Sequence, residues 1–209
     1  MKALYCQQFG PIADLSVTQV PVPALAAGKV LIDVKAASLN FPDALMVQGL
    51  YQIKPPTPFV PGAEYAGVVA AVGDGVAHIK VGDRVMAFTG WGGFAEQAVA
   101  DAMRVTPMPP TMSFEQGASF VLTYATSHHA LKDVAKLQAG ETLLVLGASG
   151  GVGTSAIQLA KITGATVVAA ASSDDKLALC KALGADHLVN YSHDDWREQV
   201  TAIVGKKGV

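Results

Sequence analysis

At 209 residues the chain is long enough for one large or two modest domains with real cores, and its 51% hydrophobic content is that of ordinary globular protein. Fifteen Lys and Arg against 17 Asp and Glu, with no dense basic run, give no electrostatic footprint for nucleic acid or an anionic membrane surface. The start lacks the apolar segment of a signal peptide, and no window approaches the roughly 20 apolar residues of a membrane span. A cytoplasmic protein working on small molecules is expected. Cys6 and Cys180 lie in segments of different character and are expected as two reduced thiols.

From Lys2 to about Val105 the pattern is one of short strands broken by glycine and proline, over 15–20, 30–36, 65–72, 83–88 and 94–99. In the second of these Val30, Ile32, Val34 and Ala36 share one face and Leu31, Asp33 and Lys35 the other, as a half-buried strand requires. Gly73-Asp74-Gly75 reads as a hairpin turn. Such spacing predicts a small barrel or sandwich. Proline-rich Thr106-Pro107-Met108-Pro109-Pro110 then breaks the pattern, and Ser113 with Gln116 makes a capping box for a following helix. The chain therefore divides into a β-rich domain, 1–110, and a second domain, 111–209, that opens with linker helices.

A helix over 126–136 leads into an alternation of strand and helix. The run Leu143-Leu144-Val145-Leu146 enters Gly147-Ala148-Ser149-Gly150-Gly151-Val152-Gly153 and then a helix-like stretch, 156–161. A second strand, 165–171, follows at the distance a βαβ unit requires. A third covers 187–191, after which Trp196, Val200 and Ile203 share one face of a helix capped by Ser192 and ended by Gly205. Val209 stands where a fourth strand is expected, so the fold class is α/β with a β-rich domain in front and a parallel sheet truncated after its first half. Residues 1–209 alone are expected to be weakly active or inactive.

The turn after the first of these strands is a phosphate cradle. Gly150 lets backbone approach a pyrophosphate, Gly153 lets the helix pack on the strand, and amides from Ser149, Gly150, Gly151 and Val152 lie at the helix N-terminus, which favours negative charge. Ala148 replaces the first glycine of the G-x-G-x-x-G fingerprint, so the agreement of strand, turn and helix carries the reading. The other reading is an α/β turn that binds no nucleotide. An NAD site usually has an acidic residue at the end of the second strand, whereas this strand ends Ala171-Ser172-Ser173. Ser172, Ser173 and Lys176 fit a 2′-phosphate, which favours NADP. Alternatively Ser173 is a simple N-cap, with Asp174 and Asp175 in the first helical turn.

Four signatures together are specific: Asn40-Phe41-Pro42-Asp43 with Gly49-Leu50-Tyr51; Pro61-Gly62-Ala63-Glu64-Tyr65-Ala66-Gly67; Gly92-Gly93-Phe94-Ala95-Glu96; and Gly150-Gly151-Val152-Gly153. With the order of β-rich domain before nucleotide fold, the whole chain resembles the zinc-independent quinone oxidoreductases of the medium-chain dehydrogenase/reductase family. The resemblance implies a GroES-like barrel followed by a Rossmann-type domain, with the active site between them and a homodimer at full length. Zinc-dependent members carry a cysteine near the position of Asn40 and a histidine where Ala63 stands, and thiolate and imidazole are what zinc needs. Two cysteines cannot build the structural four-cysteine site either. No metal is expected. The pair His128-His129 is read as one surface and one core residue.

Without zinc, hydrogen-bond donors must stabilise the charge that gathers on the substrate oxygen as hydride arrives. Asn40 and Tyr51 are the candidate donors, and Asn40 is also placed against the cofactor. The other reading of this segment is that Asn40 and Asp43 shape a proline-containing loop and Tyr51 is a packed aromatic. The resemblance places Thr126 near the nicotinamide and Tyr191 near the adenosine phosphate. Glu64 is left between pairing with a buried base and bonding backbone. NADPH-dependent reduction of quinones is the leading expectation. Reduction of enones or enoyl thioesters is the nearest alternative, and a non-catalytic NADPH-binding protein, like the lens crystallins that resemble this family, is another.

Overall fold

The computed structural model describes residues 1–205 and 208. The chain folds as two compact units, Met1–Leu122 and Thr123–Val209. The first extends beyond the proline-rich segment because the helix Phe114–Ala118 buries Ala118 against Ala66, Met86 and Met108 of that unit. Its capping box is formed as expected, with Gln116 N donating to Ser113 Oγ at 3.2 Å and Ser113 N to Gln116 Oε1 at 2.9 Å.

The first unit contains β1 (Lys2–Tyr5), β2 (Ser16–Gln19), β3 (Lys29–Ser38), α1 (Phe41–Val47), β4 (Glu64–Val72), β5 (Arg84–Phe88), β6 (Gln97–Asp101), β7 (Val105–Pro107) and α2 (Phe114–Ala118). β1 and β2 pair antiparallel, and the other strands form a five-stranded antiparallel sheet in the order β6-β3-β4-β5-β7. Alternation along β3 holds: Val30 and Ile32 are buried in a core with Tyr65, Val69, Val85 and Ala100. The ladder between β3 and β4 shifts register after Leu31 and again after Val34. There the backbones close in so far that a Cβ on Gly67 would sit 2.1 Å from Asp33 O, and only glycine fits.

Two turns depart from expectation. β4 and β5 do pair, but Gly73-Asp74-Gly75 does not close a two-residue hairpin. Gly73 N donates to Lys29 O and Asp74 O accepts Gly28 N, both at 2.8 Å, so this turn is pinned to the start of β3 and the connection runs over 73–83. The strand expected over 94–99 begins at Gln97, because Phe94 and Glu96 bond Leu4, Pro61 and Lys2 instead.

The helix α3 (Val121–His128) continues through a wide helical turn, His129–Val134, and is followed by β8 (Thr142–Leu146), α4 (Gly151–Thr163), β9 (Thr166–Ala171), α5 (Asp174–Ala182), β10 (His187–Asn190) and α6 (Trp196–Val204). β8, β9 and β10 form a parallel sheet in the order β10-β9-β8. β9 is buried on both faces, as a parallel strand between helices must be. Val167 and Ala169 pack with Ile157 and Ala160 of α4 and Cys180 of α5, and Val168 and Ala170 pack with Trp196, Val200 and Ile203 of α6.

Gly205 ends α6 as expected, at φ +67°, but Ser192 is not its cap. Asp195 takes that position and the Ser192 hydroxyl donates to Ser172 O at 2.9 Å. His128 and His129 are both exposed, not one exposed and one buried, because Ser127 is the residue that turns inward. Both cysteines are free and buried. Among the described residues no helix is long and apolar enough to cross a membrane.

Candidate active site

In the first unit α1 begins at Asn40, and Asp43 fixes that start. One carboxylate oxygen accepts Asn40 N at 2.8 Å and the other accepts Ala63 N at 2.9 Å, so this side chain joins the two signature segments. Glu64 is fully buried; one of its oxygens accepts Leu122 N at 3.0 Å, and the other accepts the Ser38 hydroxyl at 3.1 Å. The Asn40 amide donates to Ser38 Oγ at 2.9 Å, with a longer contact of 3.5 Å to Glu64. Glu64 thus bonds backbone and hydroxyl, which settles the choice left open for it. Burial pushes the carboxyls of Asp43 and Glu64 above the ordinary range although amide donors oppose it. Burial also raises the Tyr65 hydroxyl to about 12.

Tyr51 packs beside Met46, Val47 and Phe59 and also lines a cavity of about 260 Å³. Pro42, Ala63, Phe88, Trp91 and Arg104 are among its other walls. Asn40 is not among those walls; its near neighbours Pro42 and Ala63 are. Arg104 carried no signal in the sequence, since a lone arginine after a strand is ordinarily a solvated one. Among the described residues no three His, Cys, Asp or Glu side chains gather so as to hold a metal ion.

In the second unit the carboxyl ends of three parallel strands bring the remaining candidates other than Thr126 to one edge, where ligands of open α/β sheets bind. Ser149, Gly150, Gly151 and Val152 follow β8, Ser172, Ser173 and Lys176 follow β9, and Tyr191 follows β10. Ala148 N donates to Ala170 O at 3.1 Å and Tyr191 N to Ala171 O at 3.0 Å, which ties the three ends together. A Cβ on Gly153 would lie 2.7 Å from Ala148 backbone, so glycine there lets α4 start against the turn. Gly150 is different: at φ −75° a Cβ would meet only Gly147 O at 3.4 Å, so its small size serves nothing within the protein.

Lys176 Nζ donates to Ser172 Oγ at 2.7 Å, and no carboxylate occupies Ala171, Ser172 or Ser173. Ser173 holds the N-cap position of α5 but its hydroxyl makes no cap bond, so simple capping does not account for it. Asp174 is engaged by Asn190 Nδ2 at 3.2 Å. An open cleft of about 320 Å³ beside the turn is lined by Leu146, Gly147, Tyr191 and Trp196. Thr126 is exposed on α3 next to Ser127, whose hydroxyl donates to Val152 O at 2.9 Å and lies 2.8 Å from Ser155 Oγ. Ser127 and Ser155, which sequence reasoning passed over as ordinary helical serines, are what hold α3 on the first turn of α4. A helix N-terminus, a close-packed glycine and a hydroxyl–ammonium pair at one sheet edge fit a dinucleotide.

Residues 26–110 match the alcohol dehydrogenase GroES-like domain family, and residues 151–209 match the zinc-binding dehydrogenase family. The chain is 37% identical to the quinone oxidoreductase of Rattus norvegicus over 211 aligned residues, covering 100% of this chain and 64% of that protein. A solved NAD-dependent alcohol dehydrogenase is 35% identical with a TM-score of 0.93, over 100% of this chain and 69% of the other. The Thermus thermophilus quinone oxidoreductase, solved also as its complex with NADPH, is 36% identical with a TM-score of 0.86, over 98% and 64%. The chain spans 52 to 64% of the length of the curated relatives it matches. Fold, signatures and likeness agree that the chain belongs to the medium-chain dehydrogenase/reductase family.

Proposed function

We propose that this chain serves NADPH-dependent reduction of quinones without zinc. The observation that carries the reading is the edge of the second unit, where the start of α4 and the Ser172–Lys176 pair meet a strand end with no acidic residue. A hydroxyl and an ammonium suit a 2′-phosphate, and an acid there would suit the free ribose of NADH. The complex that the Thermus thermophilus relative forms with NADPH supports this choice. Amides of Gly151 and Val152 would hold the pyrophosphate, Leu146 and Tyr191 would flank the adenosine, and Thr126 would lie toward the nicotinamide.

The cofactor supplies the hydride. The residues of the chain then bind the acceptor and stabilise its oxygen. The apolar walls around Tyr51 suit a planar ring compound, and the Tyr51 hydroxyl donates to the oxygen on which charge gathers, worth about 2–4 kcal/mol by analogy with oxyanion holes. Asn40, beside the cavity walls Pro42 and Ala63, would be the second donor. Its long 3.5 Å contact to Glu64 is the one a substrate oxygen can replace, while Ser38 keeps the amide oriented. The absence of zinc in this reading rests on Asn40 and Ala63 standing where ligands would be needed.

The test is NADPH oxidation by the full-length protein with a panel of quinones, enones and enoyl thioesters. Stoichiometric oxidation driven by quinones supports the reading. Turnover of enones or thioesters alone makes it an enone reductase, and tight NADPH binding without turnover makes it a binding protein.

A further inference from the structure

The chain has three arginines, and among the described residues Arg84 and Arg197 have partners. The Arg84 guanidinium donates to Pro110 O and Met112 O and lies 4.7 Å over the Phe114 ring; that of Arg197 lies 4.9 Å over Trp196. Arg104, among the described residues, has no hydrogen bond, ion pair or ring contact. Its backbone is nevertheless held in place by its neighbours. Ala102 is buried, with its N donating to Gly28 O at 3.0 Å and its O 3.1 Å from His78 Nε2, and Val105 is buried and paired with Ala87. That antiparallel pairing sets Arg104 beside Phe88, where both line the cavity that holds Tyr51 and Trp91. The carboxylate closest in sequence, Asp101, is taken by Met103 N at 3.0 Å and Lys29 at 3.8 Å. Among the described residues no acidic side chain lines the cavity, so the solvent-exposed Arg104 is a permanent cation at the edge of a largely apolar wall with no counter-charge there.

We infer that Arg104 reads an anionic substituent, so that the pocket takes a planar conjugated carbonyl compound bearing a carboxylate or sulfonate. The planar guanidinium pairs with such a group through two parallel hydrogen bonds while the aromatic walls bury the ring. This names the substrate class of the site proposed above and rests on that reading for the reaction, although the binding itself needs no turnover.

The deciding measurement is calorimetric titration of the 209-residue chain with naphthalene-2-sulfonate and with its uncharged sulfonamide, for wild type, Arg104→Gln and Arg104→Lys. The expected result is a preference of about tenfold for the sulfonate in wild type, lost in Arg104→Gln and partly kept in Arg104→Lys. Thermal midpoints of the three proteins, recorded alongside, separate a lost contact from a lost fold, and Arg104→Lys decides if the glutamine variant does not fold. No preference in wild type, or an equal preference in the variants, overturns the inference. NADPH oxidation with naphthoquinone and its sulfonate distinguishes the two levels. Turnover with no Arg104-dependent charge preference leaves the reductase and removes this role; an Arg104-dependent binding preference keeps the anion site, and it removes the reductase only if the full-length protein also turns over no quinone.

Discussion

Glu64 accepts the Ser38 hydroxyl at 3.1 Å, and the same hydroxyl oxygen accepts the Asn40 amide at 2.9 Å, so a fully buried carboxylate orients a candidate donor through one serine. Its other oxygen holds Leu122 N at 3.0 Å. One side chain thus sets a strand end, a helix start and the beginning of α3.

Glu64→Ala leaves the Leu122 amide and the Ser38 hydroxyl inside without their acceptor. The expected loss is about 2–4 kcal/mol in urea unfolding, with Glu64→Gln losing less because one carbonyl oxygen remains. Equal losses would mean that volume, not hydrogen bonding, is what Glu64 contributes.

The acid range carries a signature of the same residue. Burial raises both Glu64 and Asp43 above their unfolded values. A carboxyl raised in this way binds more protons folded than unfolded. Its contribution is complete below the unfolded value and is lost as pH rises through the folded one. Unfolding midpoints should therefore fall as pH rises through that window, and Glu64→Gln and Asp43→Asn should each flatten the slope. Parallel slopes in wild type and both variants would take these carboxyls out of the account.

Much of the fold was legible because period and punctuation agree. The alternation from Val30 to Ala36, the apolar run of β9 and the Trp196, Val200, Ile203 face all answer to burial alone, and burial is what the structure shows. What was not legible depended on long-range partners. Gly73 looks like a hairpin glycine until Lys29 takes its amide; Ser192 looks like a cap until its hydroxyl finds Ser172 O; Phe94 and Glu96 look like strand until Leu4 and Lys2 claim them. The strand, turn and helix start from Thr142 to Thr163 were readable because they are contiguous, whereas the cavity wall combines Tyr51, Phe88 and Arg104 from three separate segments.

Gly153 and Gly150 should separate packing from ligand approach. Gly153→Ala drives a methyl to 2.7 Å from Ala148 backbone and is expected to cost about 1–3 kcal/mol. Gly150→Ala meets nothing closer than 3.4 Å and should stay within about 1 kcal/mol of wild type while nucleotide affinity falls. Gly150→Ala protein that keeps both stability and nucleotide affinity would mean that no pyrophosphate approaches this turn.

Tyr51→Phe keeps the ring that packs on Met46 and Phe59 and removes only the hydroxyl. If that hydroxyl stabilises the reduced oxygen, kcat for quinones should fall by about 10²-fold with little change in the thermal midpoint. A rise in KM at constant kcat would instead make Tyr51 a wall of the pocket.

Cofactor choice turns on the 2.7 Å contact between Lys176 Nζ and Ser172 Oγ. Both groups are at the surface, so the pair itself adds little to stability and both remain available to an incoming phosphate. Titrations followed by nicotinamide fluorescence should show wild type preferring NADPH to NADH, with the ratio falling about tenfold in Lys176→Ala and less in Ser172→Ala, since a charge-assisted bond outweighs a neutral one. Asp174 stands nearby but is engaged by Asn190, which limits its repulsion of the phosphate; Asn190→Ala should therefore lower the same ratio. Equal affinity for the two nucleotides in wild type would end the case for a 2′-phosphate site and return Ser172, Ser173 and Lys176 to a solvated helix start.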